Sequence, residues 1–280
     1  MNIIGPVVAG RFYPAEEDEL IDSIESCFTH DYGPGSLPDS MEKPLDQPVG
    51  MVVPHAGYPY SGPIAAHAYR WLSKVGKPES VVIIGTNHTG VGSDVSVLVE
   101  GGWKTPLGVT KVNSDLAHKL VDRSEVMTED STAFVREHSV EAQLPFLQYL
   151  FGNDFSIVPI CPLDQSEDTA VEIAGTIASE SPTGTLLIAS SDFSHYETQE
   201  VAENKDTKAI ESIVSGDIDQ FYDRVKRLKI SICGYGAIGT VMSFSHREDL
   251  VAEKLQYATS GKVAGMGGEV VGYCAIGFKG

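Results

Sequence analysis

Three short segments constrain this chain most. Met51-Val-Val-Pro-His55, Val81-Val-Ile-Ile-Gly-Thr-Asn-His88 and Leu186-Leu-Ile-Ala-Ser-Ser-Asp-Phe-Ser-His195 each read as a strand running into a polar tip. A short, unbroken apolar run suits a parallel strand covered on both faces, where no position meets water. Each run has a His at or just past its carboxyl end, and open α/β sheets bind ligands along that edge. Three imidazoles delivered to one sheet edge predict a metal or acid–base site.

Helical patterns alternate with these runs. Residues 16–28 predict a helix with Leu20, Ile21, Ile24 and Cys27 on one face. A Pro- and Gly-rich loop over 34–48 leads to a strand at 51–54 and a helix at 62–75. Strands are expected at 81–85 and 95–99, then a helix at 114–123 capped by Ser114, and another at 140–151. Beyond these the pattern gives a strand at 156–161, a helix at 170–179 and a strand at 185–189. Helices at 200–214, 218–227 and 237–245 precede a closing strand at 269–278. Such alternation predicts an α/β fold: a single three-layer α/β/α domain over residues 1–280, with a mostly parallel or mixed central sheet.

Charge narrows the partners. With 20 basic against 39 acidic residues, the net charge is −19. Nucleic acid is not expected as a partner, because phosphate neutralisation needs clustered Lys and Arg. No apolar run approaches the roughly 20 residues that span a bilayer, and the start of the chain lacks a charged segment followed by a long apolar one. Four dispersed Cys do not form a disulfide framework. A cytoplasmic protein with no membrane partner is the expectation.

Five segments carry candidate chemistry. Pro54-His-Ala-Gly-Tyr-Pro-Tyr-Ser-Gly62 places His55 before a turn whose glycines permit close backbone approach; a His bonded to its own turn is the competing reading. Gly85-Thr-Asn-His-Thr-Gly90 lacks the Walker pattern, so His88 reads as a ligand or base. Ser190-Ser-Asp-Phe-Ser-His195 contains a Ser, an Asp and a His but no nucleophile elbow; Asp192 would orient an imidazole instead. Ile232-Cys-Gly-Tyr-Gly236 offers a soft thiolate at Cys233, whereas Cys27, Cys161 and Cys274 read as small buried hydrophobes. Glu137-His-Ser-Val-Glu141 sets two carboxylates on one helical face if a helix extends that far. There His138 and Glu141 are expected to contact substrate or support the ligands. His30, His67, His118 and His246 read as surface or packed residues.

Taken together, these segments and Ala9-Gly-Arg-Phe-Tyr-Pro14 resemble the Memo family, nearly end to end. That family is similar in fold to LigB-type extradiol dioxygenases, which are non-haem iron enzymes. The resemblance implies metal binding at His55, His88 and Cys233, and an acid–base role for His195 with Asp192 in the same motif. It places Phe12 and Tyr60 on the aromatic lining of the cleft. It further suggests a pathway shared with a radical-SAM protein.

Extradiol iron sites use two His and a carboxylate. A thiolate in the third position changes the electronics of iron and is itself oxidisable, so ring cleavage as such is not implied. Fe(II) is the expected cofactor, with Cu or Zn as alternatives. Three readings of function follow. One is metal-dependent redox chemistry on an unknown small substrate. Another is a non-catalytic module that binds a peptide or small ligand on a dioxygenase-like scaffold. The third is a zinc hydrolase assisted by Asp192 or Glu141. The metal reading requires the donor atoms of His55, His88 and Cys233 to lie within about 3–5 Å of one another.

Overall fold

A computed structural model describes residues 3–39, 43–265 and 267–280. In chain order, β1 (Ile3–Ile4) and α1 (Glu17–Thr29) precede β2 (Val49–Val53), which leads into α2 (Tyr58–Val75). β3 (Ser80–Ile84) is followed by the short strands β4 (Val95–Val97), β5 (Gly102–Thr105) and β6 (Gly108–Val112), then α3 (Ser114–Arg123) and β7 (Met127–Glu129). A 3₁₀ turn at Glu141–Gln143 opens α4 (Leu144–Phe151), and β8 (Ser156–Pro162), α5 (Glu167–Glu180) and β9 (Thr185–Ser190) come next. The remaining elements are β10 (His195–Thr198), α6 (Gln199–Ser215), α7 (Ile218–Arg227), α8 (Tyr235–Arg247), β11 (Val251–Thr259), α9 (Ser260–Ala264) and β12 (Glu269–Lys279).

The strands join in the order β1-β5-β6-β8-β3-β9-β2-β12-β10. Its centre, β8-β3-β9-β2, is parallel, and every residue of β2, β3 and β9 is buried. This is why those segments read as unbroken apolar runs. The flanks are antiparallel where β12 meets β2, β10 and β11, so the sheet is mixed. Register fixes the site edge. Ile84 stands opposite Ala189, and Val53 opposite Ser190. The chains of β3, β9 and β2 therefore leave the sheet within a residue of one another, at their shared carboxyl edge.

Helices cover both faces. A Cβ at Gly50 of β2 would lie 2.9 Å from Val241 of α8, and one at Gly277 of β12 would lie 2.6 Å from Trp71 of α2. Gly277 is opposite Met51, the neighbour of Gly50, so the two glycines face opposite sides. The sheet lies between α2, with α1 and α4 against it, and α8, with α5 and α7 against it. Three layers are thus observed.

Local differences from the expectation have physical causes. The cap of α3 is Asn113, whose side chain accepts from the Leu116 N–H at 3.2 Å; Ser114 is already helical. The helix expected over 140–151 is divided, because Pro145 has no N–H to donate back to Glu141; α4 starts one residue before it. Pro59 sits in the first turn of α2, which begins four residues earlier than the apolar pattern suggests. The nine-residue β11 has no counterpart in the apolar pattern, because a bulge between Lys254 and Gln256 breaks its alternation.

Candidate metal centre

His55 follows β2 and is 2% exposed. Its Nδ1 lies 3.0 Å from Ser190 Oγ. That hydroxyl donates its only proton to Ser139 O at 2.7 Å and accepts from Gln143 Nε2 at 2.8 Å. It has only acceptor capacity left for His55, so Nδ1 carries the proton and Nε2 keeps its lone pair. Gln143 is oriented in turn, because Tyr69 donates its hydroxyl to Gln143 Oε1 at 2.7 Å. Burial pushes the His55 imidazole well below its usual pKa, with the nearby charges of His138, His88 and His195 adding to the effect.

His88 is held differently. Its Nδ1 lies 2.9 Å from Glu137 Oε1, and its backbone N–H donates to Glu137 Oε2 at 2.8 Å. The same carboxylate accepts from the His138 and Ser139 N–H groups, each at 2.8 Å. Burial alone would raise the Glu137 carboxyl; the hydrogen bond and charge of His88, with His138, outweigh it and hold it at about 2. A carboxylate only accepts, so Nδ1 of His88 carries the proton and Nε2 faces Cys233. Burial opposes the charged form of His88, but hydrogen bonds to Cys233 and Glu137 prevail and lift it to about 10.

Cys233 arrives from the turn before α8. Its Sγ accepts from the Asp192 N–H at 3.2 Å and lies 3.4 Å from His55 Nε2. Gln165 clamps the turn, donating to Cys233 O and accepting from the Gly236 N–H, both at 2.9 Å. At Gly234 a Cβ would lie 2.5 Å from Thr86 Oγ1 and 2.8 Å from Ser191 Cβ, so only Gly lets the thiol approach this closely. One donor atom from each of His55, His88 and Cys233 falls within 4.8 Å of the others. The expected convergence is what the fold delivers.

Asp192 is buried between them. Its Oδ1 accepts from the His55 N–H at 2.9 Å, and Oδ2 lies 4.0 Å from His55 Nε2. Burial lifts its carboxyl to about 6, against hydrogen bonds from His55 and Ala56 and the charges of His195 and His88. His195 opens β10, where its Nδ1 lies 2.8 Å from Ser231 O. The carbonyl demands a proton, so His195 Nε2 is the free acceptor. Between His195 and Glu197 the β10–β12 pairing slips. Tyr196, at φ 57° and 76% exposed, is the extra residue, a bulge that aims its neighbour.

His138 packs its ring on His88 at 4.6 Å and meets His55 edge-on at 5.4 Å and Phe12 edge-on at 5.1 Å. Burial is the main influence that pushes it down to about 4. His88, Glu137 and His138 form a second group of neighbouring donors, but the Glu137 oxygens already accept four N–H groups. Tyr60, near the start of α2, is 37% exposed. Glu141 is placed elsewhere. It is fully buried and accepts from the Val7 and Val8 N–H groups at 2.7 and 3.0 Å and from the Tyr13 hydroxyl at 2.7 Å. A solute in the cleft does not reach it, which corrects its expected substrate contact. The shared helical face with Glu137 is absent as well, because Glu137 lies in the loop before the 3₁₀ turn. Ser190, Gln143, Ser231 and Gln165 support the site without having been singled out in the sequence, and Glu137 supports it through an unexpected partner.

Fold and site define an α/β protein with a two-His, one-Cys cluster at the carboxyl edge of its parallel strands, His55 buried, Cys233 half-buried and His88 open to solvent. The Memo-like protein family model matches residues 5–277. A MEMO1 family protein of Methanopyrus kandleri is 46% identical over 278 residues, covering 98% of each chain. Another from Thermotoga neapolitana is 45% identical over 271 residues, covering 96% of each. The chain belongs to the Memo family. A crystal structure of an uncharacterized protein from Escherichia coli K12 matches with a TM-score of 0.57 at 12% identity, over 82% of this chain and 98% of that one; the likeness concerns the fold alone. Among the described residues, no helix is long and apolar enough to cross a membrane.

Proposed function

We propose that His55 Nε2, His88 Nε2 and Cys233 Sγ hold one Fe(II) or Cu ion, and that the protein performs redox chemistry on a small substrate. One observation carries this reading. Both Nδ1 atoms are hydrogen-bonded to acceptors, so it is the Nε2 side of each ring that converges with the thiol, carrying a lone pair on His55 and a proton to be displaced on His88. Two imidazoles and a thiolate form a borderline-to-soft donor set that Mg and Ca do not favour. When bound, such an ion supplies open coordination positions and one-electron chemistry that side chains lack. The chain's own residues do the rest. His195 accepts a substrate proton at Nε2 while Ser231 O holds its Nδ1–H. His138, kept neutral, and Phe12 form a wall beside His55 and His88.

A zinc hydrolase is the second reading. The same donors suit Zn with an open position, and Asp192, lifted to about 6, is placed to act as a base. Metal analysis after anaerobic purification separates the two. The expected result is one Fe or Cu per chain in wild type, most of it lost in Cys233→Ser and retained in His195→Ala. Zn in wild type would favour hydrolysis. No metal under reducing conditions would leave a ligand-binding module, and loss in His195→Ala equal to that in His55→Ala would make His195 a ligand.

A further inference from the structure

Among the described residues four carboxylates are buried: Glu137, Glu141, Asp192 and Asp206. Glu137 holds His88, Asp192 meets His55, and Glu141 takes the Val7 and Val8 N–H groups. Asp206 has no part in the mechanism so far. It lies inside α6, on the buried face that also carries Ala202, Ala209 and Ile213. Asp is a poorer helix former than Ala, and an ionised group in a core needs partners. Its partners are three donors, none of them a charged side chain. Ser194 gives Oδ1 both its N–H, at 3.1 Å, and its hydroxyl, at 2.5 Å, and Tyr257 of β11 donates to Oδ2 at 2.7 Å. Gly272 of β12 leaves the room, since a Cβ there would overlap Asp206 Oδ2. The Gly272 N–H also donates to Ser194 O at 2.8 Å, so every polar group of Ser194 is bonded.

The turn over 190–195 therefore has two anchors. Its first half is tied to the segments that carry the ligands. The Ser191 N–H donates to Val53 O at 3.0 Å, the His55 N–H to Asp192 Oδ1 at 2.9 Å, and the Gly234 N–H to Ser191 Oγ at 2.9 Å. Its second half is tied to α6 and β12, through Ser194 and through the Phe193 N–H, which donates to Gly272 O at 2.8 Å. His195 comes next. Its N–H donates to Ser231 Oγ at 2.7 Å, and its Nδ1 lies 2.8 Å from Ser231 O. Ser231 thus sets the ring against the loop between α7 and α8, whereas Ser194 sets the backbone that carries the ring against the helix layer. We propose that Asp206 is a positioning residue for His195. Acting through Ser194, it holds the imidazole where Nδ1–H meets Ser231 O and Nε2 is left free for a substrate proton. The acid–base task of His195 rests on the function proposed above; the clamp on Ser194 does not.

The test reads the His195 tautomer by ¹⁵N NMR of the imidazole in metal-free, reduced protein, with the signal assigned by its loss in His195→Gln. Wild type should show the Nδ1–H form in excess. In Asp206→Ala that excess should fall about fivefold, the factor carried by one hydrogen bond of ordinary net strength. Asp206→Asn should restore most of it, because the amide oxygen still accepts both Ser194 donors and its NH₂ can donate to the Tyr257 hydroxyl. Ser194→Ala should shift the tautomer in the same direction, by about twofold, since the Ser194 N–H remains bonded. Tyr257→Phe removes a donor from the same carboxylate but leaves both bonds to Ser194, so it should lower stability and leave the tautomer alone. An unchanged tautomer in Asp206→Ala, or a shift in Tyr257→Phe equal to that in Ser194→Ala, would overturn the proposal. If Asp206→Ala does not fold, Ser194→Ala against Tyr257→Phe decides it on the same terms. Uptake of Co(II) is measured in parallel. Equal uptake in wild type and the variants is expected, because the first anchor is untouched, and a loss in Asp206→Ala or Ser194→Ala that matches the tautomer shift would refute a role confined to His195. If wild type takes up no Co(II), the metal reading fails on its own, and the tautomer of the metal-free protein still decides the role of Asp206.

Discussion

The two imidazoles of the centre present the same nitrogen by opposite means. His55, almost wholly buried, gives its Nδ1 proton to a neutral hydroxyl that belongs to a chain of Ser190, Gln143 and Tyr69. His88, with 33% of its side chain exposed, gives the same proton to the ionised and fully buried Glu137. Burial leaves His55 weakly basic, and its neutral support does nothing to offset that, whereas Cys233 and the charged support of Glu137 make His88 strongly basic against its burial. The difference teaches that orientation and basicity are separable here. Both shells select the ligating nitrogen, but only one couples it to protons.

Breaking the charged shell should have the largest effect. In Glu137→Gln the amide faces four N–H donors that two carboxylate oxygens now accept. Whichever way the amide turns, its NH₂ meets an N–H. Metal affinity should fall about 10- to 100-fold, as for other lost supports of metal-ligating His. Stability should fall by about 3 kcal/mol, because a buried charge-assisted set is broken. The pH dependence supplies the sharper readout. In wild type a cation must displace the Nε2 proton of His88, whose pKa is lifted to about 10. Affinity should therefore rise with pH, by about tenfold per unit for that proton, from pH 7 to 9. In Glu137→Gln the imidazole loses part of its basicity, and this rise should become shallower. Metal titrations at three pH values check the slope, and an unchanged slope would show that Glu137 only orients the ring.

Breaking the neutral shell should cost less and leave the slope alone. Ser190→Ala strands the His55 Nδ1–H and one Gln143 N–H inside the protein. A loss of about 1–3 kcal/mol in stability is expected for unsatisfied buried donors. Metal affinity should drop about tenfold, at the lower end for such supports. Because no charge is removed near His88, affinity should rise with pH as steeply as in wild type. A flattened slope in Ser190→Ala would mean that the two shells are coupled, and the contrast between them would fail. Denaturant titration and metal titration on the same preparation separate the two losses.

The two shells also differ in how far the sequence disclosed them. His55 and His88 were legible because they follow apolar strands, and a polar residue in that position has a sheet edge to occupy; Cys233, in the loop between α7 and α8, was legible as a soft donor before two glycines. Ser190 was in a named motif, but its tie to His55 spans 135 positions and depends on β2 lying beside β9. Gln143 and Ser231 act through contacts of the same long-range kind and leave no local pattern. Glu137 was visible as a carboxylate, yet helical spacing coupled it to Glu141, and the break before Pro145 sends the two side chains to different tasks. The core strands stood out through burial on both faces. The hairpin of β5 and β6 did not, since its two-residue loop, Pro106 and Leu107, carries none of the Gly, Asn or Asp signals of such turns.

The smallest expected effect lies at the far end of the neutral chain. Tyr69 is fully buried, and its hydroxyl reaches Gln143 Oε1 at 2.7 Å and Gln143 O at 3.3 Å. Tyr69→Phe preserves the ring, which stacks on Phe146 at 4.7 Å, and removes only the donor. Gln143 Oε1 then lacks that partner, for a stability loss of about 1–2 kcal/mol. Its NH₂ group still donates to Pro54 O at 3.1 Å as well as to Ser190, so the amide stays aimed and His55 keeps its tautomer. Metal affinity should change by less than about threefold, the equivalent of roughly 0.6 kcal/mol. A neutral chain transmits orientation through fixed donors and acceptors, and one redundant bond is enough to stop the perturbation. If Tyr69→Phe lowered affinity as much as Ser190→Ala, Gln143 would have to rotate despite Pro54. The His55 shell would then be a single cooperative unit, as tightly committed as the carboxylate that holds His88.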